Sequence, residues 1–271
     1  MDTFRLSSSV GAGTDVTRIL RLHMTSPAAL RVPRAPYDRY TTPMARPDTI
    51  PLRTFEVAAL RADGSRSIAT FKAPALPLFE AAFSAFARGV VLSSPDGGVA
   101  IEDLQPGDWL NTSSGDPAQV VWIGSSSFVP SDTGRRMPLI RIMADSFGQN
   151  RPSSFITVGP GARLLQTPAH LRGTTGGASV LTPASEFVDN VNVIEVTPPT
   201  PIRLFHICLS RHAAVDVGGI AAETFHPGLS ATRQVTHAQR DLFLSMFPHI
   251  AHVTDFGPLA HPRAPEPDVV A

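Results

Sequence analysis

The sequence predicts a mainly β protein made of short strands, with one short helix ahead of the strand-rich region and one helix near the C-terminus. Three observations carry this. The chain of 271 residues holds 20 Gly and 26 Pro, too many interruptions for long helices. Its apolar share of 42% is enough for a sizeable core. The apolar runs themselves are short and bounded by turn residues, which is how strands read. An all-β architecture can use this much chain in one domain, so length does not force a second. Lys plus Arg and Asp plus Glu stand at 23 each, which argues against a nucleic-acid footprint.

Residues 1–50 carry seven arginines, four aspartates and prolines at 27, 33, 36, 43 and 47, which reads as a disordered arm. The scattered acids disfavour a transit peptide, and the absence of an apolar h-region or a membrane-length run points to a cytoplasmic, unexported protein. The β region is expected over 51–228. It opens with alternating runs at 54–60 and 66–72 around Ala62, Asp63 and Gly64, a hairpin. Leu76, Phe79, Phe83 and Phe86 then fall at helical spacing before Gly89, predicting a helix over 76–87 with Gly89 as its cap. Strand-like runs follow, the first two joined by the tight reversal Pro95-Asp96-Gly97-Gly98. Others lie at 139–143, 155–158, 162–165, 191–196 and 202–209. In the last segment, 229–271, Thr236 and Gln239 form a capping-box pattern and Pro248 a stop. Leu242, Phe243, Met246 and Phe247 share the face expected to dock. The Pro-rich tail after it is expected to bury little.

Familiar chemistry is missing. The chain has no phosphate-binding loop, no dinucleotide fingerprint, no His-Glu-x-x-His and no Gly-x-Ser-x-Gly elbow. The single cysteine, Cys208, excludes an internal disulfide or a thiolate zinc cluster. It shares a strand face with Leu204, His206 and Ser210, where a small buried hydrophobe is the expected role. His249 and His252 have a ligand-like spacing but no thiol or carboxylate cluster near them in sequence, so no metal and no cofactor is expected.

Ile101-Glu102-Asp103-Leu104-Gln105-Pro106-Gly107-Asp108 resembles the Val-Glu-Asp-Leu-x-Pro-Gly-Asp stretch of Hint domains, the module of hedgehog autoprocessing regions and inteins. Residues 120–124 (VVWIG) are similar to the Val-x-Trp-Ile-Gly strand of the bacterial subgroup, and 210–228 to its closing block. The resemblance covers about 84–228 and implies a flat, horseshoe-like arrangement of short strands.

It also implies a chemistry. A Cys or Ser at the start of the Hint domain attacks the preceding carbonyl to form a (thio)ester, aided by a Thr-x-x-His pair. Here the nucleophile position falls on Ala85, and the Thr and His positions on Gly159 and Ala162 of FITVGPGARLL. His212 and Glu223 of the closing block are retained, but no splice-junction Asn is present. The resulting expectation is a Hint-type domain inactive in autoprocessing, without catalytic residues, that serves as a binding or interaction unit for an unspecified protein partner. The alternative is self-cleavage by Ser84 or Cys208 with His170 or His212, releasing the segment before about residue 84. His170 belongs to a literal Thr-x-x-His at 167–170, which the prolines and glycines around it place in a loop.

Overall fold

The computed structural model describes residues 50–130, 137–228 and 235–265. The arm expected over 1–50 lies outside the described residues, apart from Ile50.

Strands β1 (Leu52–Leu60) and β2 (Arg66–Pro74) form the expected hairpin in unbroken register from Leu52↔Pro74 to Leu60↔Arg66. Its tip is fixed by the Asp63 carboxylate, which accepts from the Ser65 amide at 2.9 Å and the Ser65 hydroxyl at 2.6 Å, and by Gly64 at φ +80°.

Helix α1 spans only Pro77–Ala82, with proline in its first turn, and not 76–87. Phe79, Phe83 and Phe86 are all fully buried, but they serve two different cores. The chain leaves the helix at Phe83, and Phe86–Ala87 become strand β3. Gly89 is not a helix cap; it sits at φ +88° in the turn that follows β3.

The remaining strands are β4 (Val91–Ser94), β5 (Gly97–Ala100), β6 (Trp109–Leu110), β7 (Ala118–Phe128), β8 (Leu139–Ile142), β9 (Ile156–Val158), β10 (Arg163–Leu165) and β11 (Leu181–Pro183). After them come β12 (Val193–Val196), β13 (Ile202–Leu209), β14 (Ala214–Val217) and β15 (Ile220–Glu223). All pairings between named strands are antiparallel and make two sheets, ordered β12-β8-β9-β3-β13-β7-β1-β2, with β6 also on β7, and β11-β10-β15-β14-β4-β5.

Strands β7 and β13 form the spine of the larger sheet, with His206 opposite Gly124 and Cys208 opposite Trp122. One apolar cluster gathers Phe86, Leu92, Leu110, Val158, Leu164, Ile207 and Val215. A second is aromatic. Phe55, Phe79, Phe83, Trp122, Phe225, Phe243 and Phe247 meet in it, with ring centroids 4.6 Å apart for Phe55–Phe83 and 4.5 Å for Trp122–Phe247. The hairpin, α1, the spine and the C-terminal helix therefore share one core.

Helix α2 (His237–Ser245) starts at the capping box read from sequence, Thr236 Oγ1 accepting from the Gln239 amide and Gln239 Oε1 from the Thr236 amide. Phe243, Met246 and Phe247 are buried, and the Trp122 indole donates to the Met246 carbonyl at 2.7 Å. The tail buries more than its composition suggests. Phe256 and Ala264 are in the interior, and Leu181 brackets the tail by donating to the Pro262 carbonyl and accepting from the Ala264 amide. Backbone pairing does for this tail what large apolar side chains would do elsewhere. Among the described residues no helix is long and apolar enough to cross a membrane.

Candidate functional site

The three positions assigned by the resemblance come together although 74 residues separate Ala85 from Gly159. The Ala85 amide donates to the Phe205 carbonyl at 2.9 Å, and the Gly159 amide to the Ala85 carbonyl at 2.8 Å. The Gly161 amide donates to the Ser84 carbonyl at 3.0 Å. This places the end of α1, the start of β3 and the β9–β10 turn in contact. Ala85 and Ala162 are buried in the first apolar cluster.

No side chain fits at Gly159. A Cβ there would stand 2.2 Å from the Ser84 carbonyl oxygen, and one at Gly161 would stand 2.4 Å from that of Ala81. Both contacts are with backbone, which cannot rotate aside. The glycines let the turn lie directly on the chain that leads into β3.

No hydrogen bond or ion pair joins Ser84, Cys208, His170 and His212 to one another; Cys208 and His212 border a common cavity of about 300 Å³, but each of the four is bonded elsewhere. Ser84 follows α1, not the middle of a helix, and its hydroxyl donates to the Glu80 carbonyl at 2.6 Å. Cys208 is buried, its sulfur 3.8 Å from the Phe225 carbonyl, and burial pushes its thiol well up, away from a reactive thiolate. His170 lies on a short 3-10 helix, Ala169–Leu171, and faces Glu186 across 3.9 Å. The Ala260 amide donates to His212 Nδ1 at 2.9 Å, so the ring proton sits on Nε2, 3.1 Å from Glu223 Oε1.

What the sequence did not reveal is the polar cluster around that last pair. Glu223, 3% exposed at the end of β15, also receives Arg263 from the tail, with Nε at 3.0 Å and a terminal nitrogen at 2.9 Å. Burial raises its carboxyl, but the His212 hydrogen bond and the Arg263 charge together outweigh it and hold the group below its ordinary value. His206, also 3% exposed, directs Nδ1 at the Ala81 carbonyl at 3.0 Å, and burial pushes its pKa down to about 4. Ala81, Gly161, His206, Glu223, Phe225 and Arg263 border a cavity of about 470 Å³. The retained Glu223 was visible in the closing block; Arg263 was hidden because only pairing across the tail brings it there. Among the described residues no three His, Cys, Asp or Glu are grouped to hold a metal.

Comparison with known families matches the Hint domain over residues 84–229. The chain belongs to the Hint-domain family. Similar solved structures include the MchDnaB-1 intein, 15% identical over 52% of this chain and 100% of that one with a TM-score of 0.34. The Msm DnaB1 intein splicing domain bound with zinc is 15% identical over 52% and 100%, with a TM-score of 0.33. A bacterial intein-like domain from Clostridium thermocellum is 11% identical over 53% and 99%, with a TM-score of 0.33. No curated protein matches. The Hint match begins at Ser84, yet the hairpin and α1 ahead of it share the aromatic core with β7, β13 and α2.

Proposed function

We propose that this Hint domain has lost autoprocessing and acts as a binding or interaction module. The observation that carries the reading is the backbone filling of its site: the Ser84 carbonyl oxygen occupies the space a side chain at Gly159 would need. The chemistry agrees. A methyl group at Ala85 cannot attack a carbonyl, and Ala162 offers no proton to a leaving amine. Losing even one member of a catalytic unit costs orders of magnitude in rate.

Packing supports the same reading. Chain upstream of the Hint match contributes Phe55, Phe79 and Phe83 to the shared aromatic core, so a cut near residue 84 would leave 50–83 held by apolar contacts. Such a segment is built as structure and not as cargo.

The second reading, self-cleavage, has one observation in its favour. The carbonyl ahead of Ser84, that of Phe83, accepts a hydrogen bond from the Ser126 hydroxyl at 3.0 Å, which would polarise it. Ser84 itself points the other way, donating to Glu80 and with no base bonded to it. The two readings separate when the purified full chain is incubated over days at several pH values and run on a denaturing gel. Denaturing conditions matter because a docked fragment would stay attached in a native assay. One full-length band is expected; time-dependent bands that disappear in Ser84→Ala would establish cleavage instead.

A further inference from the structure

Strand β2 is the last strand of the larger sheet, and among the described residues its outer side pairs with nothing. The hydrogen bonds that bracket the hairpin, Arg61 amide to Ser65 carbonyl and Ala75 amide to Pro51 carbonyl, fix which residues face which way. Antiparallel pairing alternates, so Ser67, Ala69, Phe71 and Ala73 bond inward to β1. Arg66, Ile68, Thr70 and Lys72 therefore direct their amides and carbonyls outward.

The side chains of these same four residues share one sheet face and all are exposed, Ile68 by 83%. Beside them Ile68, Ala58 and Phe205 border a shallow concavity of about 570 Å³. Nine residues of bulge-free, unpaired edge with an exposed isoleucine at its middle is a template for another strand.

Charge bears on which strand. Arg66 and Lys72 flank Ile68 and Thr70; the Arg66 guanidinium donates to the Pro106 carbonyl and Gln105 and faces Asp108 across 3.9 Å, leaving it half satisfied, whereas Lys72, the only lysine in the chain, makes no ion pair among the described residues. Pairing two copies with Ile68 against Thr70 would set Arg66 of one opposite Lys72 of the other. Like charges directly opposite disfavour that arrangement. An extended segment with a carboxylate opposite each cation has no such penalty.

We propose that the β2 edge binds an acidic, extended segment of a protein partner by adding it as a further strand. The proposal deepens the interaction-module reading and rests on it. The incoming backbone bonds the outward groups of 66, 68, 70 and 72, its carboxylates meet Arg66 and Lys72, and its β-branched residues cover Ile68.

The test uses the full chain and a capped, fluorescent peptide carrying glutamates at both ends of one strand face, with valine and threonine between. Versions with glutamine or lysine replacing glutamate are the controls. The expected result is a salt-sensitive rise in anisotropy for the glutamate peptide, at least about tenfold tighter than for the controls. Zero-length carbodiimide coupling should then join the peptide to Lys72, located by peptide mapping. Lys72→Glu should weaken binding by about tenfold or more and favour the lysine peptide. Thr70→Pro removes an outward amide and no β1 pairing, so it should abolish binding while leaving the melting curve near that of the parent.

Equal binding of all three peptides, no binding, coupling away from Lys72, coupling between two copies, or undiminished binding by Thr70→Pro would overturn the proposal. Because no outcome bears on whether the chain cuts itself, failure here is distinguishable from failure of the inactive reading, which the denaturing gel decides.

Discussion

The carbonyl oxygen of Ser84 lies 2.2 Å from where a Cβ on Gly159 would have to be. The relationship turns a missing hydroxyl into a statement about space. Restoring the side chain requires the turn and the strand entry to separate.

Gly159→Ser should therefore destabilise the fold and not revive chemistry. The cost expected for forcing atoms into a packed backbone contact is about 1–3 kcal/mol. Urea denaturation reads it directly, and a Gly159→Ser protein as stable as the parent would mean that the turn yields.

Acid should destabilise the protein through His206. Its folded pKa lies near 4 because burial disfavours the cation, against an ordinary value of 6.5. Below 6.5 the unfolded chain takes up a proton that the folded ring refuses. Stability from this group is thus complete above 6.5 and falls as pH drops towards 4, by about 3 kcal/mol in all. Melting temperatures across this range should fall with pH, and His206→Gln should flatten part of the slope; an unchanged slope would show that His206 does not titrate as described.

Phe79→Ala tests whether the region upstream of the Hint match is structural. Phe79 is fully buried between Phe55 and Phe243, with centroids at 6.5 Å and 5.8 Å. Truncation should cost about 3–5 kcal/mol in one cooperative transition that includes the β7–β13 spine. A hairpin that melts separately, leaving the spine intact, would mean that the two do not share a core.

The legible parts of the sequence were those where local chemistry decides local structure. Asp63-Gly64 and the Thr236–Gln239 capping box behave as their residue types require. The helix was overextended because Phe83 and Phe86 keep the helical spacing while packing into different clusters, and spacing alone cannot say into which core a residue turns. At the site, the residue types at Ala85, Gly159 and Ala162 were visible. The carbonyl filling the space beside Gly159 was not, since it follows from the approach of two segments distant in sequence. Arg263 escaped for the same reason: nothing near it in the tail signals that it meets Glu223.

The most direct measurement is an intact mass of the purified full chain after incubation with hydroxylamine, which traps an ester or thioester even when cleavage is slow. Loss of autoprocessing predicts a single species at the full-length mass. A fragment pair cut at Phe83-Ser84 or Ser84-Ala85, lost in Ser84→Ala or Cys208→Ala, would contradict it.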